Sequence, residues 1–311
     1  MKKISLVIPV YNESENLKWH HDRIQGFFKK NKQSYEVIYV DDGSSDNSLE
    51  ILKSLSESSP NSTKFMSFSR NFGKEAATSA GLSAAKGDAA VIMDADGQHP
   101  IELIETFLNL WREGNEVIIG VRTGNNGEGF IKKFGSKLFY SVLRIIGGKT
   151  VVSGTTDFRL IDRKVIDEFN KLTERNRVTR NLLDWLGYRR VEVPFEAAER
   201  HAGTAAYSFS KLFKLAVDGI ISHSTRPLKL IAVLGLFISI FSGLTGILLA
   251  FQEYVLGDPL SLSISGAALL AIFVTLLVGI VLICQGLIGL YIESVYYETQ
   301  NRPLFVIAEK S

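Results

Sequence analysis

Two aspartates separated by one residue, Asp94-Ala95-Asp96, close an apolar run and open a polar turn. Carboxylates at i and i+2, where a strand enters a turn, can converge on one ligand. A hard cation such as Mg²⁺ or Mn²⁺ suits them, because it takes one or two carboxylates and leaves positions for the oxygens of a nucleotide's pyrophosphate. Such a cation neutralises charge on a departing diphosphate. Gln98 follows with an uncharged carbonyl oxygen for the same ion, and His99 is next along. A solvated acidic turn has the same composition, so the pair needs support from the rest of the chain. Asp41 and Asp42 end a second apolar run in the same manner. The single cysteine, Cys284, excludes an internal disulfide framework and a multi-cysteine metal site. His20, His21 and His223 form no metal-ligand spacing.

These acids need a scaffold, and the first 120 residues read as one. Ile4 to Val10 is a buried strand, and Ser14 is placed to cap a helix reaching about Lys30. Strands follow at Tyr35 to Val40, Lys64 to Ser69, Ala89 to Met93 and Glu116 to Val121. Helices are expected over Asn47 to Glu57, Gly73 to Ala85 and from Pro100 or Ile101 onward. Strand and helix alternating in this way predict an α/β fold with a mostly parallel sheet covered on both faces. Asp41, Asp42, Asp94 and Asp96 then fall at the carboxyl ends of strands, where open α/β sheets bind ligands. A dinucleotide fingerprint and a P-loop are both missing.

The remainder of the chain reads differently. Between Leu230 and Ile292 the only charged residues are Glu253 and Asp258. Leu230 to Phe251 is about 22 uncharged residues, enough to cross about 30 Å of hydrocarbon, and residues 264–292 can cross with tilt. Arg226 and Lys229 precede the first span, Arg302 and Lys310 follow the second, and the linker between them holds no Lys or Arg. By the positive-inside rule both ends are expected in the cytosol. The start of the chain agrees, its apolar run after Lys3 being too short for a signal peptide. Residues 131–146 and 208–222 interleave Lys and Arg with aromatic and aliphatic residues at helical spacing, as helices lying on anionic lipid do. Ser239 and Gly243 form a small-xxx-small pair through which helices of two copies can approach. The expected organisation is a catalytic domain over 1–207, a juxtamembrane helix over 208–226, two transmembrane helices within 227–292 and a cytosolic tail over 293–311. A net charge of +2 without a basic, aromatic-interleaved run speaks against nucleic acid.

The segment from Ile4 to Glu13, with Val40-Asp41-Asp42-Gly43-Ser44 and Asp94-Ala95-Asp96-Gly97-Gln98, resembles the inverting family 2 glycosyltransferases of GT-A (Rossmann-like) fold. Arg70-Asn71-Phe72-Gly73-Lys74 and Thr156-Asp157-Phe158-Arg159-Leu160 narrow the resemblance to the polyprenyl-phosphate branch. It implies transfer of a hexose, with inversion, from a UDP- or GDP-linked sugar to undecaprenyl or dolichyl phosphate. It also implies a metal-dependent integral membrane enzyme, its catalytic domain cytosolic at a bacterial inner membrane. The product is a lipid-linked sugar for cell-envelope glycan or glycoprotein modification. Carried over residue by residue, Pro9, Tyr11 and Glu13 frame base and ribose, and Asp41 or Asp42 reads the base. Lys74 joins the nucleotide-sugar site; Asp94 faces the nucleotide; Asp96 and Gln98 hold the metal; Arg122 lies near the phosphates. Helix capping is the alternative role for Glu13 and Asp46.

Asp157 matches the family's candidate base. A phosphate monoester acceptor, with a second pKa near 6, is already largely ionised, so the residue is needed more for placement than for deprotonation. Its alternative role is to anchor Arg159. Arg200 would clamp an acceptor or leaving phosphate, which a guanidinium matches in shape. Ala205 and Ala206 stand where the family pattern has a hydroxyl residue and a lysine. Two other functions compete. A processive polysaccharide synthase would carry a Q-x-x-R-W segment and more spans, and none of Trp19, Trp111 and Trp185 follows an arginine. A non-catalytic nucleotide-sugar-binding subunit draws its support from Ala205 and Ala206, while the full set of acids opposes it.

Overall fold

The computed structural model describes residues 2–123, 155–175, 177–196 and 266–311, with single positions between 233 and 251. The chain divides into two compact units, one of residues 1–136, 152–207 and 301–311, the other of 137–151 and 208–300.

The first unit is built on an eight-stranded sheet. Its elements are β1 (Ile4–Val10), α1 (Ser14–Lys30), β2 (Tyr35–Asp41), α2 (Ser48–Ser58), β3 (Thr63–Phe68), α3 (Lys74–Ala84), β4 (Ala89–Ile92) and α4 (Leu103–Arg112). Then come β5 (Val117–Arg122), β6 (Thr155–Asp162), α5 (Arg163–Lys171), α6 (Thr179–Trp185) and β7 (Arg190–Phe195). The second unit contributes α7 (Gly266–Thr299), and β8 (Ile307–Lys310) returns to the first. The strand order is β7-β5-β6-β4-β1-β2-β3-β8. All but β6 and β8 run in one direction.

Every residue of β1 is buried, because helices cover both faces of the sheet and a central parallel strand meets no water. On one face α1 packs Leu17, Ile24 and Phe28, and α4 packs Ile104, Phe107, Leu108 and Trp111. On the other, Ala77, Ala80 and Leu82 of α3 meet Val165, Ile166 and Phe169 of α5. The first five strands and four helices lie within a few residues of their sequence-based positions. The order does not follow from them: β6 is inserted antiparallel between β4 and β5. That strand, β7 and β8 carry no strong periodic signal in the sequence.

Two local expectations change. Ser14 does not cap α1; Glu13 occupies the cap position, and Asp46 accepts the Ser14 N–H at 3.1 Å from the neighbouring loop. Asp46 also accepts the Ser48 N–H at 3.0 Å, so one carboxylate serves the first turns of two helices. The segment 293–311 is not a plain tail. It completes α7 and then forms β8, whose end is held where Phe65 N–H donates to Ser311 Oγ at 2.9 Å and where Phe305 stacks on Phe68.

At the amino edge of the sheet Glu36 is wholly buried and takes Lys3 Nζ at 2.8 Å, Ser5 Oγ at 2.7 Å and the Lys86 N–H at 2.7 Å. Burial opposes its charge, but these donors outweigh it and hold the carboxyl down at about 2. Glu36→Ala is expected to lower stability by about 1–3 kcal/mol at neutral pH, because it leaves the buried Ser5 hydroxyl and the Lys86 amide without their acceptor, while the partly exposed Lys3 can turn to water. A depressed folded pKa stabilises above the unfolded value and is lost as pH falls through the folded one. The gap between wild type and Glu36→Ala therefore shrinks between roughly pH 4.5 and 2 in denaturant titrations. A gap that stays constant over that window would contradict the assignment.

α7 spans 34 residues, about 51 Å at 1.5 Å per residue. Within its stretch Leu276–Thr299 an 18-residue window has mean hydropathy 2.1, and large side chains such as Leu282, Ile283 and Ile292 are exposed along the helix. By length and composition it can cross a bilayer. It contains most of the second expected span and continues past residue 292. The first expected span, 230–251, is helical at each described position but lies mostly outside the described residues. The expected amphipathic segments 131–146 and 208–226 lie wholly outside them.

Candidate active site

The reversed strand β6 creates the site. Its register pairs Ile92 with Arg159, so two residues further toward the carboxyl end of β4 Asp94 faces Asp157. Two carboxylates so placed repel each other, and Lys74 relieves the repulsion. Its Nζ lies 2.5 Å from Asp94 Oδ1 and 2.9 Å from Asp157 Oδ2. Burial opposes the lysine's charge, but Asp94 and Asp157 outweigh it and push the ammonium's pKa well above the usual lysine value. For Asp157 burial acts upward, yet Lys74 and then Arg180 hold the carboxyl well below the usual carboxylate range. A carboxyl held that low is a weak proton acceptor.

Lys74 is the first residue of α3, and Asp42 sets where that helix begins. Asp42 Oδ1 accepts the N–H groups of Phe72 at 2.7 Å and Gly73 at 3.0 Å. Gly73 is at φ 101°, a conformation that side-chain-bearing residues avoid. Asp41 accepts the Ser44 N–H at 3.1 Å and the Ser67 hydroxyl at 2.6 Å. Both aspartates therefore face the protein's own donors and shape the loops around the site. Reading of a base by either, as expected from the resemblance, has to proceed alongside those bonds.

The other expected residues separate by exposure. Pro9 lies buried inside β1, so it braces the strand rather than framing a ligand directly. Tyr11 is 49% exposed just beyond the strand end. Glu13 caps α1 through its carbonyl and takes the Asn16 amide on Oε2 at 2.6 Å. Asn12, not singled out from the sequence, clasps the β1 and β2 loops: its N–H donates to Ser44 Oγ and its Oδ1 accepts the Ser45 N–H. Arg122 is exposed at the end of β5. Arg200 and the loop through Ala205 and Ala206 lie outside the described residues.

The turn after β4 is tightly made. Gln98 N–H donates to Asp96 Oδ1 at 3.1 Å, closing an Asx turn. Gly97 has φ 76°, and a Cβ there would meet the Trp19 ring at 2.5 Å. His99 is buried, stacks on Phe158 at 4.8 Å and accepts the Asp94 N–H on Nδ1 at 3.0 Å. Burial holds its pKa below the ordinary histidine value, which suits a neutral ring whose nitrogen accepts. Nothing in the residue's type announced this role; it depends on β6 supplying Phe158.

Among the described residues no three His, Cys, Asp or Glu side chains gather into a metal cluster. Asp94, Asp96 and the Gln98 carbonyl are oxygen donors, and a hard cation that shares its shell with substrate phosphates needs only one or two carboxylates. The donor set fits Mg²⁺ or Mn²⁺. Lys74 already gives Asp94 a positive partner. Asp157 does not anchor Arg159. Arg159 is buried and donates Nη2 to the Thr156 carbonyl at 3.1 Å, while Arg180 Nη2 lies 3.3 Å from Asp157 Oδ1.

Residues 5–169 match the model of Glycosyl transferase family 2. The uncharacterized glycosyltransferase YkcC of Bacillus subtilis (strain 168) is 40% identical over 303 residues, 97% of this chain and 92% of that protein. The uncharacterized glycosyltransferase sll0501 of Synechocystis sp. is 38% identical over 309 residues, 99% and 95% of the two chains. A SfII prophage-derived bactoprenol glucosyl transferase of Shigella flexneri is 35% identical over 305 residues, 98% and 97% of the two chains.

Proposed function

This chain belongs to glycosyl transferase family 2, and we propose that it moves a hexose from a UDP- or GDP-linked sugar to a polyprenyl phosphate at the cytosolic face of a membrane. The observation that carries the reading is the meeting of Asp94, Lys74 and Asp157 at the carboxyl edge of the sheet. Support for the acceptor comes from relatives named for bactoprenol glucosyl transfer over nearly the whole chain. Support for the membrane comes from the exposed apolar length of α7.

In this mechanism the acceptor phosphate oxygen forms a bond to the anomeric carbon while the bond from that carbon to the diphosphate oxygen breaks. The electron pair leaves with the nucleoside diphosphate, and the configuration inverts. The acceptor is largely dianionic near neutral pH, so no base has to remove a proton. Asp157 holds Lys74 and Arg180 in place instead. Lys74 supplies fixed positive charge between the two acids, which costs no reorganisation as charge moves to the leaving group. A Mg²⁺ or Mn²⁺ ion held by Asp96 and Gln98, with Asp94 beside it, would add neutralisation of the departing diphosphate. Tyr11, exposed beyond the end of β1, would meet the nucleoside, and Arg122 the phosphates.

The test is incubation of membranes holding the protein with polyprenyl phosphate and a panel of labelled UDP- and GDP-hexoses, followed by solvent extraction. One donor is expected to give a metal-dependent, lipid-soluble labelled product. Absence of that product with every donor would overturn the reading.

A further inference from the structure

Arg180 lies on α6, away from every motif that drew notice in the sequence, yet it reaches Asp157. Its placement is built. Glu75, the neighbour of Lys74 on α3, accepts both the N–H of Thr179 at 2.8 Å and the Thr179 hydroxyl at 2.5 Å. Two consecutive residues of α3 thereby set both sides of Asp157. Lys74 meets one carboxylate oxygen, and Glu75 fixes the residue next to Arg180, which meets the other.

The two cations are engaged to different degrees. Lys74 is shared by two carboxylates, at 2.5 and 2.9 Å. Arg180 has one carboxylate partner, at 3.3 Å, its Nε is buried with no hydrogen-bond partner, and its side chain is 40% exposed. Behind it lies a cavity bounded by Lys74, Glu75, Asp157, Arg159 and Thr179, with room for about one water. Arg159 leaves Nε and Nη1 there without partners. A dianion approaching Asp94 and Asp157 needs positive charge that those acids have not already neutralised. The loop that resembles the family's phosphate-binding segment has Ala205 and Ala206 where the pattern has a hydroxyl residue and a lysine.

We propose that Arg180, placed by Glu75 through Thr179, is the cation that receives the acceptor's phosphate beside Asp157. The guanidinium keeps donors for a phosphate after pairing with one carboxylate oxygen. The chemistry recognised is a phosphate group, which both the acceptor and the donor's diphosphate carry; the proposal assigns Arg180 to the acceptor. It rests on the transferase reading above. If the wild-type protein makes no polyprenyl-linked sugar, that reading fails before Arg180 is tested.

The experiment is steady-state transfer by the full-length protein in detergent, with polyprenyl phosphate and nucleotide sugar varied independently, for Arg180→Ala and Arg180→Lys. Loss of one charge-assisted phosphate contact is expected to raise the acceptor KM roughly tenfold to a hundredfold in Arg180→Ala, the donor KM staying within about twofold. Arg180→Lys keeps the charge without the fork, so its acceptor KM should fall between. It also keeps the test open if the alanine variant does not fold. A rise in donor KM instead would assign Arg180 to the leaving diphosphate and overturn the proposal. So would a fall in kcat with both KM values unchanged, since Arg180 would then act only by holding Asp157.

Discussion

Asp96→Asn is expected to lower transfer by about three orders of magnitude, the scale of losing several kcal/mol of charge stabilisation on a departing diphosphate. The substitution is nearly isosteric. The Asn oxygen can still accept the Gln98 N–H that closes the turn, and Gly97 still seats against Trp19. The lost quantity is one negative charge at the proposed cation site. Titration calorimetry should therefore show weaker nucleotide binding mainly when Mn²⁺ or Mg²⁺ is present, with near-equal affinities in chelator. Wild-type activity should vanish in excess chelator and return on adding the ion. Unchanged turnover in Asp96→Asn, or full wild-type activity in chelator, would remove the metal from the mechanism.

A second large loss is expected for Asp157→Asn, on the order of a hundredfold or more, because it leaves Lys74 and Arg180 without their shared counter-charge. The informative quantity is its pH dependence. Lys74 and Arg180 hold the Asp157 carboxyl well below the usual range, against the upward pull of burial. It is then ionised throughout roughly pH 5.5 to 8.5, while the acceptor phosphate, with a second pKa near 6, gains a proton only toward the acid end. A positioning carboxylate gives a defect of similar size at every pH. A true base matters most where the acceptor is protonated. Single-turnover transfer over that range distinguishes them: a defect concentrated in acid and largely recovered in alkali would make Asp157 a base after all.

The two variants differ in what the sequence disclosed about them. Asp96 was legible, because a both-face-buried strand leaves a continuous apolar run and a polar turn must follow it. The same apolar pattern located β1, β2 and β4 and put Asp41, Asp42 and Asp94 at strand ends. It did not anticipate that Asp41 and Asp42 point into the protein's own loops, since side-chain direction depends on which loop lies alongside. For Asp157 the sequence supplied a motif and two candidate roles. Neither partner it actually holds was named, since Lys74 comes from α3 and Arg180 from α6. Pro9 shows the reverse case, where a motif position expected at the ligand is packed inside a strand.

By itself the sequence determined the alternation of strands and helices, the acids at their carboxyl ends, and the apolar length of α7. Each of these follows from patterns confined to one segment, such as burial on both faces of a strand or the lack of charge along a helix. Tertiary structure alone decided that β6 enters antiparallel between β4 and β5, that β8 closes the far edge, and that Lys74 stands between Asp94 and Asp157. Strand order and register are set by packing and hydrogen bonding between segments tens of residues apart. A reversed strand also brings its first residues, not its last, to the edge where the parallel strands end.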